Sequence, residues 1–226
     1  MTTRAEAGAA RTLLPDTVAV AVAPTHDAAS LCPDEATLVA SAGPQRRREF
    51  AAGRACAHAA LRALGRDGEP IGRGGGGEPL WPAGVVGSIS HAGGLAAAAA
   101  ALVGDASAIG LDIESLDPPL SPPDERFVLA GAAASTLGGD DHPLAPYRSK
   151  IAFSAKETVF KCLYPHTGWL LEFGDVDLSL DLDNGGYVAT VDSRFCGGGL
   201  AGVALSGRFA VSHTHIFTAL WLPPRA

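Results

Sequence analysis

The alternation of apolar and polar residues predicts a chain rich in β-strands. Residues 109–114 alternate strictly, so their isoleucine and leucine side chains are expected on one face of a strand and the carboxylates of Asp112 and Glu114 on the other. Residues 176–182 also alternate, and a turn signal at 183–186 then predicts a hairpin. Apolar or alternating runs predict further strands at 17–23, 85–89, 95–103, 187–191, 201–205 and 215–222.

Apolar residues at helical spacing predict two long helices. The first is expected over residues 44–64 because Gly65 follows as a stop signal, and the second over about 148–163, ending before Pro165. Strands joined by hairpins, with few helices and no regular βαβ alternation, predict the α+β class. Shorter features are also expected: a helix from Pro33, a helix over 128–137, and a proline-rich loop over 117–124.

The composition is that of a globular protein with locally concentrated positive charge. The 226 residues are 47% hydrophobic and 18% charged, which suffices for one large or two small domains. The net charge of −7 argues against a broad nucleic-acid surface, so phosphate binding requires local basic clusters. Two such clusters exist, one formed by Arg46–Arg48 with Arg54 and the other by Lys156 with Lys161.

The cysteines and the apolar segments predict a cytoplasmic protein. The four cysteines are widely spaced without a Cys-x-x-Cys pair, which argues against a zinc site or a disulfide framework. Cys56 and Cys162 are expected to be small core residues. We see no signal peptide, and residues 95–103 are too short to cross a bilayer, so a buried strand is expected there.

The acidic residues suggest a metal site. Asp112 and Glu114 repel each other on one strand face, and Glu157 on the second long helix would add to this repulsion unless a cation lies between them. A hard divalent ion with oxygen ligands meets this need, and the nearby lysines suggest that phosphate completes the site. The simpler alternatives are two exposed acids on an edge strand and an ordinary surface pair of Glu157 with Lys161.

Four segments together resemble the signature of one enzyme family. They are an arginine-rich helix at 47–57, Gly-Ser-Ile-Ser-His at 87–91, Gly-Leu-Asp-Ile-Glu at 110–114 and Phe-Ser-Ala-Lys-Glu-Thr-Val-Phe-Lys at 153–161. In this order they resemble the Sfp-type 4′-phosphopantetheinyl transferases, the branch that includes enterobactin synthetase component D. Each segment alone is a weak signal, whereas four in the family's order are specific. The resemblance covers about residues 46–165.

The resemblance implies an architecture that the sequence alone does not reveal. Sfp-type enzymes are monomers built as a pseudo-dimer of two similar α+β halves, with coenzyme A in the cleft between them. Residues 1–107 would then contact the nucleotide and phosphates, and residues 108–226 would hold the metal and the carrier-protein site. We find no internal repeat in the sequence, so this division rests on the resemblance.

The resemblance also implies roles for individual residues. Asp112, Glu114 and Glu157 would bind magnesium or manganese, and Glu157 with Lys161 would act in catalysis, with Glu157 as a candidate general base. Which of the arginines at 46–48 corresponds to the family's phosphate ligand stays open. The residues expected to contact coenzyme A are Arg46, Arg47, Arg54, Ser90, His91, Lys156 and Lys161.

The implied activity is a metal-dependent group transfer. The protein would move the 4′-phosphopantetheine arm of coenzyme A to a serine of an acyl or peptidyl carrier protein, releasing adenosine 3′,5′-bisphosphate. The carrier would dock on residues 116–137, where Arg126 and Phe127 are candidate contacts, and would serve a siderophore, polyketide or nonribosomal-peptide pathway. Two alternatives are a non-catalytic scaffold and a metal-dependent phosphohydrolase. Ser90 and His91 do not suggest a serine hydrolase, because neighbouring strand residues point to opposite faces.

Overall fold

The computed structural model describes residues 2–27, 31–129, 141–195 and 203–224, which form helices and strands in two sheet-rich halves. The helices are α1 (Thr2–Arg11), α2 (Pro33–Thr37), α3 (Pro44–Ala63), α4 (Pro122–Val128) and α5 (Arg148–Thr167). The strands are β1 (Ala19–Pro24), β2 (Gly72–Arg73), β3 (Pro79–Leu80), β4 (Val85–Ala92), β5 (Leu95–Leu102), β6 (Ala108–Ser115), β7 (Val176–Asp181), β8 (Gly186–Val191), β9 (Ala204–Val211) and β10 (His215–Leu222).

The strands form two antiparallel sheets and a short hairpin, which confirms the α+β prediction. The first sheet has the order β1-β5-β4, the second has the order β6-β10-β9-β8-β7, and β2 pairs only with β3. Each large sheet carries one helix of 20 residues: α3 packs on β1 and β5, and α5 packs on β6 and β10. The two halves therefore repeat one arrangement, a long helix on an antiparallel sheet.

Both faces of strand β5 are buried, and alanine side chains line both of them. The six alanines at 96–101 are fully buried. Those at even positions pack with Leu61 and other residues of α3, whereas those at odd positions pack with Leu111 of β6 and Phe217 of β10. The prediction of a buried strand is confirmed, and alanine lets layers approach from both sides.

The two sheets meet where β4 lies against β6. Ser88 of β4 donates its hydroxyl to the carbonyl oxygen of Leu111 at 3.3 Å and accepts the Leu111 amide at 3.0 Å. Ser90 accepts the amide of Ile113 at 3.3 Å. These buried hydroxyls satisfy backbone groups of β6 that would otherwise lack partners at the junction. The two serines of the sequence motif thus join the halves.

Helix α1 was not predicted from the sequence. It packs on β1 and β10 and so contacts both halves. Glu6, which is buried, accepts the hydroxyl of Thr214 at 2.9 Å. The helix carries alanines rather than large apolar residues, and for this reason it lacks the stripe by which a helix is recognised.

Two helix boundaries differ from the prediction. Helix α4 begins at Pro122, inside the segment expected to be loop, because Ser121 caps its first turn, where prolines are tolerated. The residues 130–137 of the predicted helix lie outside the described residues. Helix α5 continues through Pro165 to Thr167 and is capped by Gly168, whose φ is 67° and whose amide donates to Tyr164 O at 2.9 Å. Proline has no backbone amide with which to continue the helix, and α5 ends two residues after it.

The remaining predictions agree with the structure apart from the strand ends. Strand β9 extends to Val211, further than expected from the sequence, and residues 201–202 of the predicted strand lie outside the described residues. The glycine-rich residues 74–78 form the turn between β2 and β3. Cys56 and Cys162 are buried, as predicted, while Cys196 lies outside the described residues. None of the helices that the structure describes is long and apolar enough to cross a membrane.

Candidate active site

The carboxylate of Asp112 is fixed by three donors at the junction of the two sheets. Its Oδ1 atom accepts the Ser90 hydroxyl at 2.8 Å and lies 2.5 Å from Lys161 Nζ, and its Oδ2 atom accepts the Ser154 hydroxyl at 2.7 Å. Lys161 Nζ also donates to Ser90 Oγ at 3.0 Å. Asp112 is 2% exposed, so its charge is compensated almost entirely by these neighbours.

A chain of buried hydroxyls holds α5 against β10 beneath this carboxylate. Thr218 of β10 donates to the backbone oxygen of Ser154 at 3.0 Å, and its hydroxyl lies 2.6 Å from that of Thr158 and 2.8 Å from that of Ser154. Neither Thr158 nor Thr218 was predicted to be a site residue, although Thr158 lies with Ser154 in the helix segment 153–161. The network sets the rotation of α5 and thereby aims Lys161 at Asp112.

Glu114 and Glu157 lie half-buried beside this centre. Within the described residues, neither carboxylate forms a hydrogen bond or an ion pair. Burial and the negative charge of Asp112 raise the pKa of Glu114 to about 7, although Lys150 and Lys161 oppose this shift. Burial likewise raises the pKa of Glu157, and Asp112 adds to it. Both carboxyl groups therefore hold their protons more tightly than a solvated glutamic acid does.

The three acidic residues fit a hard divalent cation in their chemistry. All their donor atoms are carboxylate oxygens, which magnesium and manganese prefer, and their mutual repulsion favours a cation between them. Their side chains do not yet form a coordination sphere, because no three His, Cys, Asp or Glu side chains of the described residues gather as a metal site. The assignment of Asp112, Glu114 and Glu157 as ligands stays a prediction.

The two lysines predicted to bind phosphate lie on different sides of α5. Lys161 joins Asp112, whereas Lys156 donates to the backbone oxygen of Phe173 at 2.7 Å. Burial lowers the pKa of Lys156 to about 8. Lys150, to which the sequence analysis gave no role, donates to the backbone oxygens of Ser115, Leu116 and Pro118 and so holds the segment after β6.

A second group of charged residues lies where α3 approaches the end of β4. His91 Nε2 accepts a hydrogen bond from Arg46 Nη1, and His91 Nδ1 lies 3.6 Å from Glu49 Oε2. Burial and the charge of Arg46 lower the pKa of His91, which favours the neutral ring. Ser90 contacts Asp112 while His91 contacts α3, so the two neighbours point to opposite faces, as expected for a strand.

Arg54 is the most buried arginine of this region. Its Nη2 atom donates to Gly72 O at 2.7 Å, and its guanidinium lies 4.7 Å from the ring centroid of Phe50. Its Nε and Nη1 atoms are buried without a hydrogen-bond partner in the described residues. Arg46 and Arg54 line one small cavity, and Arg47 is exposed and outside that lining. Arg46 is thus the arginine of its run that reaches the cavity.

Three cavities lie beside these charged groups. The arginine cavity, of about 100 Å³, is lined by Arg46, Arg54 and His91 among others. The cleft cavity, of about 180 Å³, lies between the halves and is lined by Ser88 and Lys161. The aromatic cavity, of about 430 Å³, is lined by Phe127, Lys156, Glu157, Phe160, Leu171, Glu172, Phe173 and Val176. Phe160 lines both the cleft cavity and the aromatic cavity.

Comparisons with known proteins assign a family to both halves. Residues 34–101 match the 4′-phosphopantetheinyl transferase N-terminal domain, and residues 108–212 match the 4′-phosphopantetheinyl transferase superfamily. The chain belongs to the 4′-phosphopantetheinyl transferase superfamily. The resemblance seen in the sequence motifs is thereby confirmed. As a 4′-phosphopantetheinyl transferase, the protein is an enzyme of the group that transfers phosphopantetheine from coenzyme A to carrier proteins.

Several transferases are similar to this protein over half or more of its chain. The 4′-phosphopantetheinyl transferase Svp of Streptomyces mobaraensis is 42% identical over 174 residues, covering 74% of this chain and 68% of Svp. The transferase PptT of Mycobacterium tuberculosis is 33% identical over 202 residues, covering 84% of this chain and 85% of PptT. Enterobactin synthase component D of Salmonella typhi is 41% identical over 130 residues, covering 54% of this chain and 50% of that protein.

Proposed function

We propose that this transferase moves the 4′-phosphopantetheine arm of coenzyme A to a serine of an acyl or peptidyl carrier protein, with magnesium or manganese, and releases adenosine 3′,5′-bisphosphate. One observation carries the proposal. The ion pair of buried Asp112 with half-buried Lys161 lies at the junction of the halves, and beside it lie Glu114 and Glu157, whose carboxylates form no hydrogen bond within the described residues. Such a site suits a metal-bound pyrophosphate, whose charge needs both a cation and a lysine.

Coenzyme A would lie along the junction of the halves. Its nucleotide 3′-phosphate would enter the arginine cavity, where Arg54 has two buried guanidinium nitrogens without partners and Arg46 lies at the mouth with His91. The arginine and cleft cavities share lining residues, among them Gly77 and Ile89, so one extended ligand could span both. The pyrophosphate would then approach Lys161. In this arrangement residues 1–107 hold the nucleotide and residues 108–226 hold the metal and the carrier.

The metal would be held by Asp112, Glu114 and Glu157. When bound, it would neutralise the charge that develops on the leaving phosphate. Asp112 is already fixed by Ser90, Ser154 and Lys161, so it provides the rigid part of the site. Glu114 and Glu157 have no hydrogen bonds to break within the described residues, which leaves both carboxylates available as ligands.

The chain's own residues would direct the transfer. The serine oxygen of the carrier forms a bond to the phosphorus that bears the pantetheine arm, and the bridging P–O bond to the adenosine phosphate breaks. Glu157 would accept the serine proton, either directly or through a water molecule, because burial raises the pKa of its carboxyl group and makes the carboxylate a stronger base. Lys161 would remain beside the phosphate oxygens and offset their charge.

The carrier would dock next to the aromatic cavity. Phe127 is 60% exposed, Leu170 is 73% exposed, and Phe127 packs edge-on against Phe173 with ring centroids 5.5 Å apart. Glu157 lines the same cavity, so a serine-bearing helix placed on this apolar surface would bring its hydroxyl toward the base. The exposed Arg126 beside Phe127 would suit an acidic partner. The predicted docking residues 130–137 lie outside the described residues.

We also propose a pathway for the carrier and an oligomeric state for the enzyme. The similarity to enterobactin synthase component D supports a carrier of siderophore or other nonribosomal-peptide synthesis, and a polyketide carrier is the alternative. Since the two halves of one chain provide both walls of the cleft cavity, we expect a monomer to be active. The cytoplasmic location stays a prediction from the spacing of the cysteines.

The proposal is tested by the products of a defined reaction. Purified protein is incubated with coenzyme A, Mg²⁺ and apo carrier proteins from siderophore, polyketide and fatty-acid synthesis. The carrier's mass should increase by one phosphopantetheine, with one adenosine 3′,5′-bisphosphate released for each. No increase with any carrier would contradict the proposal. Consumption of coenzyme A without a carrier would indicate a phosphohydrolase instead.

A further inference from the structure

Glu49 lies among the positive groups of the arginine cavity. Its Oε2 atom is 3.9 Å from Arg46 Nη1 and 3.6 Å from His91 Nδ1. Among the described residues that line this cavity, Glu49 is the one acid. A carboxylate at this position lowers the positive potential that an anionic ligand meets.

The carboxylate of Glu49 is held in place from its other side. Gln45, one turn earlier on α3, donates its side-chain amide to Glu49 Oε1 at 3.0 Å. Arg46 Nη1 donates to His91 Nε2, so the proton of the neutral His91 ring lies on Nδ1 and faces Glu49. Glu49 is therefore the partner of the groups that would otherwise be free to bind a phosphate.

We propose that Glu49 is a built-in competing anion that sets the charge a ligand needs to enter the arginine cavity. This inference rests on the proposed function and concerns its nucleotide end. A phosphate monoester carries close to two negative charges at neutral pH and can replace Glu49 as the partner of Arg46, while also reaching Arg54. A ligand with one charge or none gains little, because Glu49 already compensates Arg46. Glu49 therefore weakens the binding of the 3′-phosphate of coenzyme A and has little effect on the form that lacks this phosphate.

The charge of Glu49 should weaken the binding of coenzyme A. Removal of the Glu49 charge leaves Arg46 and Arg54 uncompensated, so a 3′-phosphate should bind more tightly to Glu49→Gln than to the wild type. The expected gain is about three- to tenfold, as for a partly exposed charge pair. Dephospho-coenzyme A places no phosphate in the cavity, so its affinity should change by less than about twofold.

The experiment is calorimetry of Glu49→Gln with coenzyme A and with dephospho-coenzyme A, without carrier protein. Asp67→Asn is the matched control, because it removes one negative charge from an exposed side chain outside the three cavities. Tighter binding of coenzyme A only, and only in Glu49→Gln, supports the inference. Equal or weaker binding of coenzyme A to Glu49→Gln overturns it, as does an equal gain for both ligands.

This result is separable from a failure of the proposed function. If the wild type binds neither coenzyme A nor adenosine 3′,5′-bisphosphate, the proposed function itself fails. If the wild type binds coenzyme A and Glu49→Gln binds it no better, only the role of Glu49 is contradicted. A thermal melt of each variant verifies that the compared proteins are folded.

Discussion

Gly110 of β6 lies directly against the backbone carbonyl of Thr158 in α5, where a Cβ atom on Gly110 would stand 2.1 Å from the carbonyl oxygen. The helix can rest on the strand only because the glycine has no side chain. Two residues further along the strand is Asp112, which Lys161 of the same helix approaches to 2.5 Å. The glycine of the Gly-x-Asp-x-Glu motif therefore sets the distance at which the site is assembled.

Gly110→Ala should separate α5 from β6. The contact involves backbone atoms that cannot rotate away, so we expect a loss of about 1–3 kcal/mol in the free energy of unfolding and a larger relative loss of transfer activity. Denaturant unfolding and a transfer assay measure the two effects. Gly104→Ala is the control, because a Cβ there meets nothing within 4 Å. Equal behaviour of the two variants would contradict the packing argument.

The two serines of β4 should differ in their effects. Ser88→Ala leaves the buried Leu111 amide without its partner and should cost about 1–3 kcal/mol in the free energy of unfolding, with little change in kcat. Ser90→Ala also frees Asp112 and Lys161, so it should reduce kcat as well. Steady-state kinetics with denaturant unfolding separate these outcomes, and an unchanged kcat in Ser90→Ala would count against the role of Ser90.

Removal of one crowded carboxylate should stabilise the metal-free protein. The pKa of Glu114 is about 7 in the folded state, above its ordinary value of 4.5, so the folded protein holds this proton more tightly than the unfolded chain. Stability from this group is therefore present below pH ~4.5 and lost as the pH rises through 7. Glu114→Gln should melt at a higher temperature than the wild type at pH 8 in EDTA, and the difference should shrink toward pH 5.

Glu114→Gln, together with Glu157→Gln, also reports on metal binding. If Glu114 and Glu157 hold a divalent cation, Mg²⁺ should raise the melting temperature of the wild type and raise that of Glu114→Gln and Glu157→Gln much less. Asp67→Asn should respond to Mg²⁺ as the wild type does. An equal response in all four proteins would exclude these carboxylates as ligands.

The apolar surface near the aromatic cavity should govern affinity for the carrier. Phe127→Ala and Leu170→Ala should each raise the KM for the carrier about three- to tenfold while leaving the KM for coenzyme A unchanged. Val188→Ala is the control, since Val188 is 41% exposed on β8 and lines none of the three cavities. A change in the KM for coenzyme A without a change in the KM for the carrier would contradict the assignment of this surface to carrier binding.

Much of the fold and the centre of the site follow from local patterns in the sequence. The alternation around Asp112 and the helical pattern around Lys161 predict a strand and a helix, and the packing of apolar faces brings them together. Helix α1 was not predicted because it packs through alanine and the buried Glu6 rather than through a stripe of large apolar residues. The start of helix α4 was predicted as a loop because the two prolines in its first turn are also typical of loops.

The separation of the two lysines has a geometric cause. Lys156 and Lys161 were grouped by their nearness in sequence, but five positions along a helix correspond to a rotation of about 140°. Lys156 consequently reaches Phe173, on the other side of α5 from Asp112. Among the arginines at 46–48, Arg46 lies on the face of α3 that meets His91, which the sequence alone does not show, and its role as the phosphate ligand stays a prediction. Glu49 was not predicted to be a site residue because an acid among arginines is typical of a solvated helix surface.

The most direct test of the central claim is a single-turnover reaction followed by intact mass of the carrier. Wild type, Glu157→Gln and Asp67→Asn are each freed of metal with EDTA, mixed with coenzyme A and apo carrier, and then given Mg²⁺. We predict that wild type and Asp67→Asn add one phosphopantetheine only after Mg²⁺ is supplied, and that Glu157→Gln is slower by about 10²-fold or more. Transfer at the wild-type rate by Glu157→Gln, or transfer that needs no divalent ion, would contradict the account.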